Sequence, residues 1–378
     1  ALSVQGDGNV TIELDGKNEL KSGWGMAGLE KNTSAGTLTL KDDQEPGSLT
    51  AEGGGWAAGI GGSDGKGTNN IIISGGTVTA EGGNYGAGIG SGGGSYDGGD
   101  HITITGGTVN ATGGDNGAGI GGGYGGVGDH ITIGGGAVTA EGGENGAGIG
   151  GGYSGVGDHI TITGGTVNAS GCAGAGIGGG INGSGSNVTV SGAAQVTATA
   201  GKSSSFYVAG ATIGNGGSVT EDGELVDGKE IQADISRVTT GYIHHIIYDP
   251  ALVSEDNPLG IVREWWEPER PQPKPEDPNA PAEESNEVNL GTPGLHVETL
   301  EGDPLPFDAQ QQGGTLRVTS DTLAARLHGT RQALEALREQ GVEQIQFVTS
   351  FKTTTLSVED LLAEGGSWFA LEHNGLVS

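Results

Sequence analysis

The chain is poor in most of what an ordinary globular protein packs with. It holds a single cysteine, Cys172, so no internal disulfide framework forms. Aromatic residues make up 4% and charged residues 17% of its 378 positions. Basic residues number 16 against 47 acidic ones, a formal net charge of −31. That balance excludes a nucleic-acid binder that works by neutralising phosphates, and it disfavours docking on an anionic membrane. No apolar run approaches the ~18 residues of a membrane-spanning helix. With 12 prolines, and glycines that do not fall at every third position, the chain is not collagen-like. It starts at Ala1 with no charged–apolar leader, which reads as a mature or excised piece of something longer.

What is abundant is glycine, 82 residues, roughly threefold the usual share of ~7%. Its placement is periodic. The stretch from Ile71 through Gly75-Gly76-Thr77-Val78-Thr79-Ala80 to Gly86-Ala87-Gly88-Ile89-Gly90 returns at 102–121, 131–150 and 160–178, with weaker copies from Val10, Leu38 and Val188. The first apolar residues of these copies lie 28, 33, 31, 29, 29 and 28 positions apart, a pattern of constant strands and variable loops. Within a copy, Ile102, Ile104, Val109 and Ala111 alternate with Thr103, Thr105, Thr108 and Asn110, so one face is apolar and the other polar. Gly106-Gly107 and Gly113-Gly114 mark corners, and Gly117-Ala118-Gly119-Ile120-Gly121 forms a third side with one large inward residue.

Three short sides make one turn of a parallel β-helix. No copy buries its apolar face alone, so the copies stack. The expected fold is mainly β: a parallel, right-handed β-helix of about seven coils over residues 1–250, caps included. Its core column is Ile60, Ile89, Ile120, Ile149, Ile177 and Ile213. Glycine-rich chain is also found disordered, but disorder would not hold Ile and Val in one register through four copies. Strands between Ile231 and Tyr248 cover the open end, with His244 and His245 on the cap surface. Residues 251–286, rich in Pro and Glu, read as an extended linker headed by Trp265 and Trp266, which pack on the cap. Residues 287–378 read as a small α/β module. In it, strands run over 315–318, 344–350 and 369–372 and a short helix over 358–363. A longer helix, capped by Ser320 or Asp321, carries Leu323, Leu327, Leu334 and Leu337 on one face and stops at Gly341.

A solenoid turns a one-repeat spacing into a ladder of stacked side chains. The sharpest pairs are Asp100-His101, Asp129-His130 and Asp158-His159, replaced in flanking coils by Asn69-Asn70 and Ser186-Asn187. Gly125-Gly126-Val127-Gly128-Asp129 is akin to glycine-rich calcium-binding repeats, which makes Asp100, Asp129 and Asp158 candidate Ca²⁺ ligands. It departs from them, because the Asp follows Gly directly and recurs only once per coil. The plainer reading is that these carboxylates accept backbone N–H bonds at the corner. Stacked His101, His130 and His159 would share zinc only if their rings converged. Catalysis by the Asp row is disfavoured, since an acid and a base need different environments and a repeat supplies copies of one. Between residues 51 and 200, Lys66 is the sole Lys or Arg, so nothing there neutralises an acidic polysaccharide. The Thr103, Thr132, Thr161 column is interrupted by Ile72 and is ordinary β-surface, not an ice-binding array.

Trp56, Tyr85, Tyr96, Tyr124 and Tyr153 fall beside the variable loops, and Tyr124 and Tyr153, one repeat apart, stack. Exposed rings next to Asn116 and Asn145 are candidate sugar-gripping residues. Against this stands a lid reading, in which the rings fill space over a corner made of glycine.

The Gly-Gly-Thr-Val-Asn-Ala-Thr-Gly-Gly run at 106–114, followed by Gly-Ala-Gly-Ile-Gly-Gly-Gly at 117–123, resembles the glycine-rich β-helix segments of large secreted or wall-attached proteins of gut Firmicutes. The likeness covers about 37–217, and the 342–349 stretch looks like a module carried by the same kind of protein. The resemblance implies bacterial extracellular or cell-surface display and an adhesin-like role, with a glycan or another surface protein as partner. Three functions stay open: a glycan-binding module with no certain cofactor and Ca²⁺ as a candidate one, a structural stalk or filament segment, and a polysaccharide-cleaving enzyme by fold analogy alone.

Overall fold

The computed structural model describes residues 1–268, apart from 32, 34, 44–45, 97, 203–207, 221, 255–256 and 258–259. It also describes 295–374, apart from 299–303, 306, 321, 323, 350–351 and 364–367. The chain divides into two compact units, Ala1–Pro273 and Lys274–Ser378.

The first unit is a parallel β-helix. One middle coil contributes Ile102–Ile104, Thr108–Thr112 and Ile120–Gly121, each to a different sheet. The three sheets hold seven, nine and eight strands in coil order. Pairing runs in register from coil to coil: Ile89 lies between Ile60 and Ile120, and Ile149 between Ile120 and Ile177. All six members of the Ile60–Ile213 column are fully buried. So are the Val78, Val109, Val138, Val167, Val196 column and the parallel column Ala80, Ala111, Ala140, Ala169, Ala198. Small side chains in one column and branched ones in the others pack together in the lumen.

The glycine after each column Ile is fixed by geometry. Gly121 sits at φ +131°, and a Cβ on it would lie 2.1 Å from the Gly150 carbonyl oxygen of the next coil. Only glycine allows the backbones to approach this closely.

Beyond Gln195–Gly201, the nine-stranded sheet continues through Tyr242–Tyr248 and then Ile261–Glu267, which pairs antiparallel and turns the chain back. Residues 261–267 were expected within the linker. They pair instead with Tyr242–Tyr248, and two ring stacks hold the pairing, with His245 opposite Trp265 and His244 opposite Trp266. The Pro- and Glu-rich run at 269–286 lies outside the described residues.

The second unit has two four-stranded sheets. Strands Thr315–Thr319, Gln344–Val348 and Trp368–Asn374 and helix Val358–Ala363 lie where the pattern places them. The longer helix is a correction. It spans Arg331–Glu339, capped by Thr330, whose Oγ1 accepts the Ala333 N–H. Ala324–Thr330 is a strand, with Ala325 and Leu327 buried and Arg326 paired to Glu298 and Glu372. Leu327 therefore follows a period of two, and its helical spacing to Leu334 joins two different elements. Asp321 and Leu323 lie outside the described residues.

Candidate functional site

Two corners of the solenoid carry the chemistry. On the first, Trp56 and Tyr85 occupy one column, and Asn116 and Asn145 follow in it. Trp56 and Tyr85 stack with centroids 4.0 Å apart, and Tyr124 and Tyr153, in the neighbouring column, stack at 5.1 Å. Tyr85 meets Tyr124 edge to face at 5.6 Å, so the four rings form one continuous row. Tyr153 ends it against Ala173, Ile181 and Val208, a small apolar cluster separate from the main core. Gly93 makes room: a Cβ there would lie 2.7 Å from the Tyr85 Cβ and 2.9 Å from the Trp56 ring.

This geometry changes what the expected sugar-gripping residues offer. One face of Tyr85 lies against Trp56, and Tyr124 and Tyr153 each lay one face on the other. Asn145 is buried and donates its amide to Asn116 Oδ1 at 2.9 Å, so the pair is a side-chain ladder rather than an open polar edge. Tyr96 is different. It stands on a loop longer than its counterpart in the next coil, is 85% exposed, and places its ring 3.7 Å from where a Gly125 Cβ would be.

On the second corner, Gly99–Asp100, Gly128–Asp129 and Gly157–Asp158 form a short parallel sheet of their own, which puts the three carboxylates in register. The His column stacks beside them, with ring centroids 4.9 Å apart between His101 and His130 and 4.8 Å between His130 and His159. The planes differ by only 1° and 11°. All three histidines sit at positive φ (54°, 53° and 47°), as do Asn70 and Asn187 in the flanking coils. The Asp oxygens accept bonds at the corner: Asp129 Oδ1 from the His130 N–H at 2.8 Å, and Asp158 Oδ1 from the His159 N–H, the Ser186 hydroxyl and the Asn187 amide. Burial pushes the Asp158 carboxyl up, but the bonds from Ser186, Asn187 and His159 outweigh it. The carboxyl titrates below its ordinary range.

A third cluster, absent from the sequence reading, closes the C-terminal end. His245 continues the Ala198 column into the lumen and is 3% exposed, a correction to the cap-surface placement. Strand alternation explains it, because Ile243 and His245 share the inward face while His244 turns outward to Glu264 and stacks on Trp266. His245 Nδ1 lies 2.6 Å from Thr212 Oγ1, and Thr212 Oγ1 also bonds Glu230. Burial, helped by nearby His244 and Arg263, holds the His245 imidazole down to about 4. Burial likewise pushes the Glu230 carboxyl up, against the hydrogen bonds from Thr212 and Ile213. Cys172 Sγ lies 3.2 Å from the Tyr248 hydroxyl, and burial with this contact raises the phenol.

Among the described residues no helix is long and apolar enough to cross a membrane. Comparison with curated proteins and with solved structures returns no match. The family model for the beta helix repeat matches four successive stretches, 71–93, 102–124, 131–153 and 160–181. Each match begins at the first apolar strand and runs past the Ile–Gly side, so the coils of the middle of this rod are beta helix repeats.

Proposed function

We propose that the solenoid is a non-enzymatic binding rod, displayed outside a bacterial cell, that holds a neutral glycan on its aromatic corner. The observation that carries this is the exposure of Tyr96 (85%), together with a row of mutually stacked rings of which Tyr124 is 37% exposed. Tyr96 offers a free face for CH–π contact, and the row supplies rigid edges and hydroxyls along the axis. A neutral ligand fits a chain of net charge −31 better than an acidic one. Against an enzyme stands the Asp row. A general acid needs a carboxyl held protonated, whereas Asp158 is stabilised as the anion.

The test is affinity electrophoresis and a neutral-glycan array, with the full chain beside a Tyr96→Ala, Tyr124→Ala variant. The wild type is retained by at least one neutral glycan, and the variant about 10-fold more weakly, the scale of two lost ring contacts. A second reading, a stalk with no small ligand, draws on the ring faces of Tyr85, Tyr124 and Tyr153 that are taken up by stacking within the row. It gains if no glycan retains the wild type, or if the variant is retained equally.

A further inference from the structure

The Asp–His corner contains imidazole nitrogens that the proposed glycan binding does not use. His130 Nδ1 lies 2.9 Å from Asp129 Oδ2, and His159 Nδ1, from the next coil, lies 3.2 Å from Asp129 Oδ1. These ligand atoms all fall within 4.8 Å of one another. Two imidazole nitrogens thus face one carboxylate from two coils. We infer that Asp129, His130 and His159 form a binding site for a nitrogen-seeking divalent cation of the zinc, cobalt or nickel class.

The donor set decides the class of ion. Two nitrogens and a carboxylate oxygen suit borderline cations, which take imidazole and carboxylate at ~2.0–2.2 Å. Ligands at that distance around one ion stand ~3.3 Å apart, close to the two N···O separations already present. The rings are parallel, and convergence requires them to turn. The side chains of His130 and His159 are 51% and 53% exposed, so they have room to do so. Calcium takes 6–8 oxygen ligands, and this corner does not assemble them. Asp158 Oδ1 is committed to Ser186, Asn187 and the His159 N–H, while Asp158 Oδ2 lies 3.0 Å from His159 Nδ1, so His159 stands between two carboxylates and its turn onto the ion draws it off Asp158. A fourth coordination position is left to water.

The column itself supplies the control. Asn70 and Asn187 hold the same place at φ 53° and 50°, so asparagine takes the backbone conformation of the histidines without disturbing the coil. The full chain is titrated calorimetrically with zinc chloride, and cobalt(II) chloride is followed by its visible absorption. The wild type binds one ion with a tetrahedral cobalt spectrum. The His130→Asn, His159→Asn double variant, with an unchanged melting temperature in the absence of metal, binds weaker by more than the ~10–100-fold that loss of an outer-shell partner costs. His101→Asn binds as the wild type does. The inference is overturned if neither ion binds the wild type, if the double variant binds equally well, if His101→Asn loses as much as the double variant, or if calcium competes at similar affinity.

Discussion

Along one sheet, a single lumen column reads Ala51, Ala80, Ala111, Ala140, Ala169, Ala198 and then His245. The comparison between the middle coils and this last position shows what a stacked coil gives its neighbour. In the middle, the Ile149 N–H donates to the Gly176 carbonyl and the Ile177 N–H to the Thr212 carbonyl, each bond supplied by the next coil. At the end there is no equivalent coil. The two carboxylate oxygens of Glu230 take its place, accepting from the Thr212 N–H at 2.7 Å and the Ile213 N–H at 3.1 Å. Thr212 and His245 fill the lumen beside them, and Trp265 stacks on His245 at 4.4 Å. The middle is closed by repetition of small and branched apolar side chains. The end is closed by a hydrogen-bonded polar plug, because backbone donors left without a partner in a buried site are costly.

This contrast breaks most easily in the middle. Ile120→Asp places an unpaired charge in a fully buried column and is expected to cost more than ~4 kcal/mol, read as loss of the cooperative unfolding transition. Gly121→Ala collides with the Gly150 carbonyl and adopts a φ that alanine avoids; a loss of about 2–4 kcal/mol is expected in urea unfolding.

The end responds to pH as the middle does not. The folded His245 titrates at about 4, below the ~6.5 of an unfolded histidine, so the unfolded chain binds more protons between these values. Its contribution is present above pH ~6.5 and is lost as pH falls toward 4, up to ~3 kcal/mol in all. The raised Glu230 carboxyl works with the opposite sign over the lower part of that window, so the measurement is a difference. Stability of the wild type relative to His245→Ala, which restores the column's usual residue, should decline from pH 7 to pH 4. A flat difference would place the plug's protonation elsewhere. The smallest effect is that of Glu230→Ala, about 1–3 kcal/mol from two backbone donors left buried, seen as faster amide exchange at Thr212 and Ile213.

The middle coils were legible because one residue pattern is written four times, and a period of 29 leaves a single way to align Ile102, Ile131 and Ile160. The end was not, because it occurs once. Nothing in the local pattern of Tyr242–Tyr248 says that His245 faces a lumen, since its inward neighbour Ile243 fits a surface cap equally well. The partners Thr212 and Glu230 are distant in sequence and carry no spacing signal. The Asp and His ladders were visible as rows, but the turn of His130 and His159 Nδ1 onto Asp129 depends on backbone at positive φ, which sequence spacing does not reveal. The aromatic row was visible too. That its rings form two stacked pairs joined edge to face, and that Asn145 is buried, follow from how closely the glycine-lined coils approach.

One coil is the unit of this rod. Two deletions test it directly: residues 102–130, the 29 positions of one full repeat, and residues 102–115, about half of it. The first brings Ile131 into the place of Ile102 and keeps every column aligned. Thermal unfolding followed by circular dichroism should give a cooperative β transition for the full-repeat deletion and none for the half-repeat deletion, whose inward and outward residues lose register. Equal transitions for the two would contradict the account.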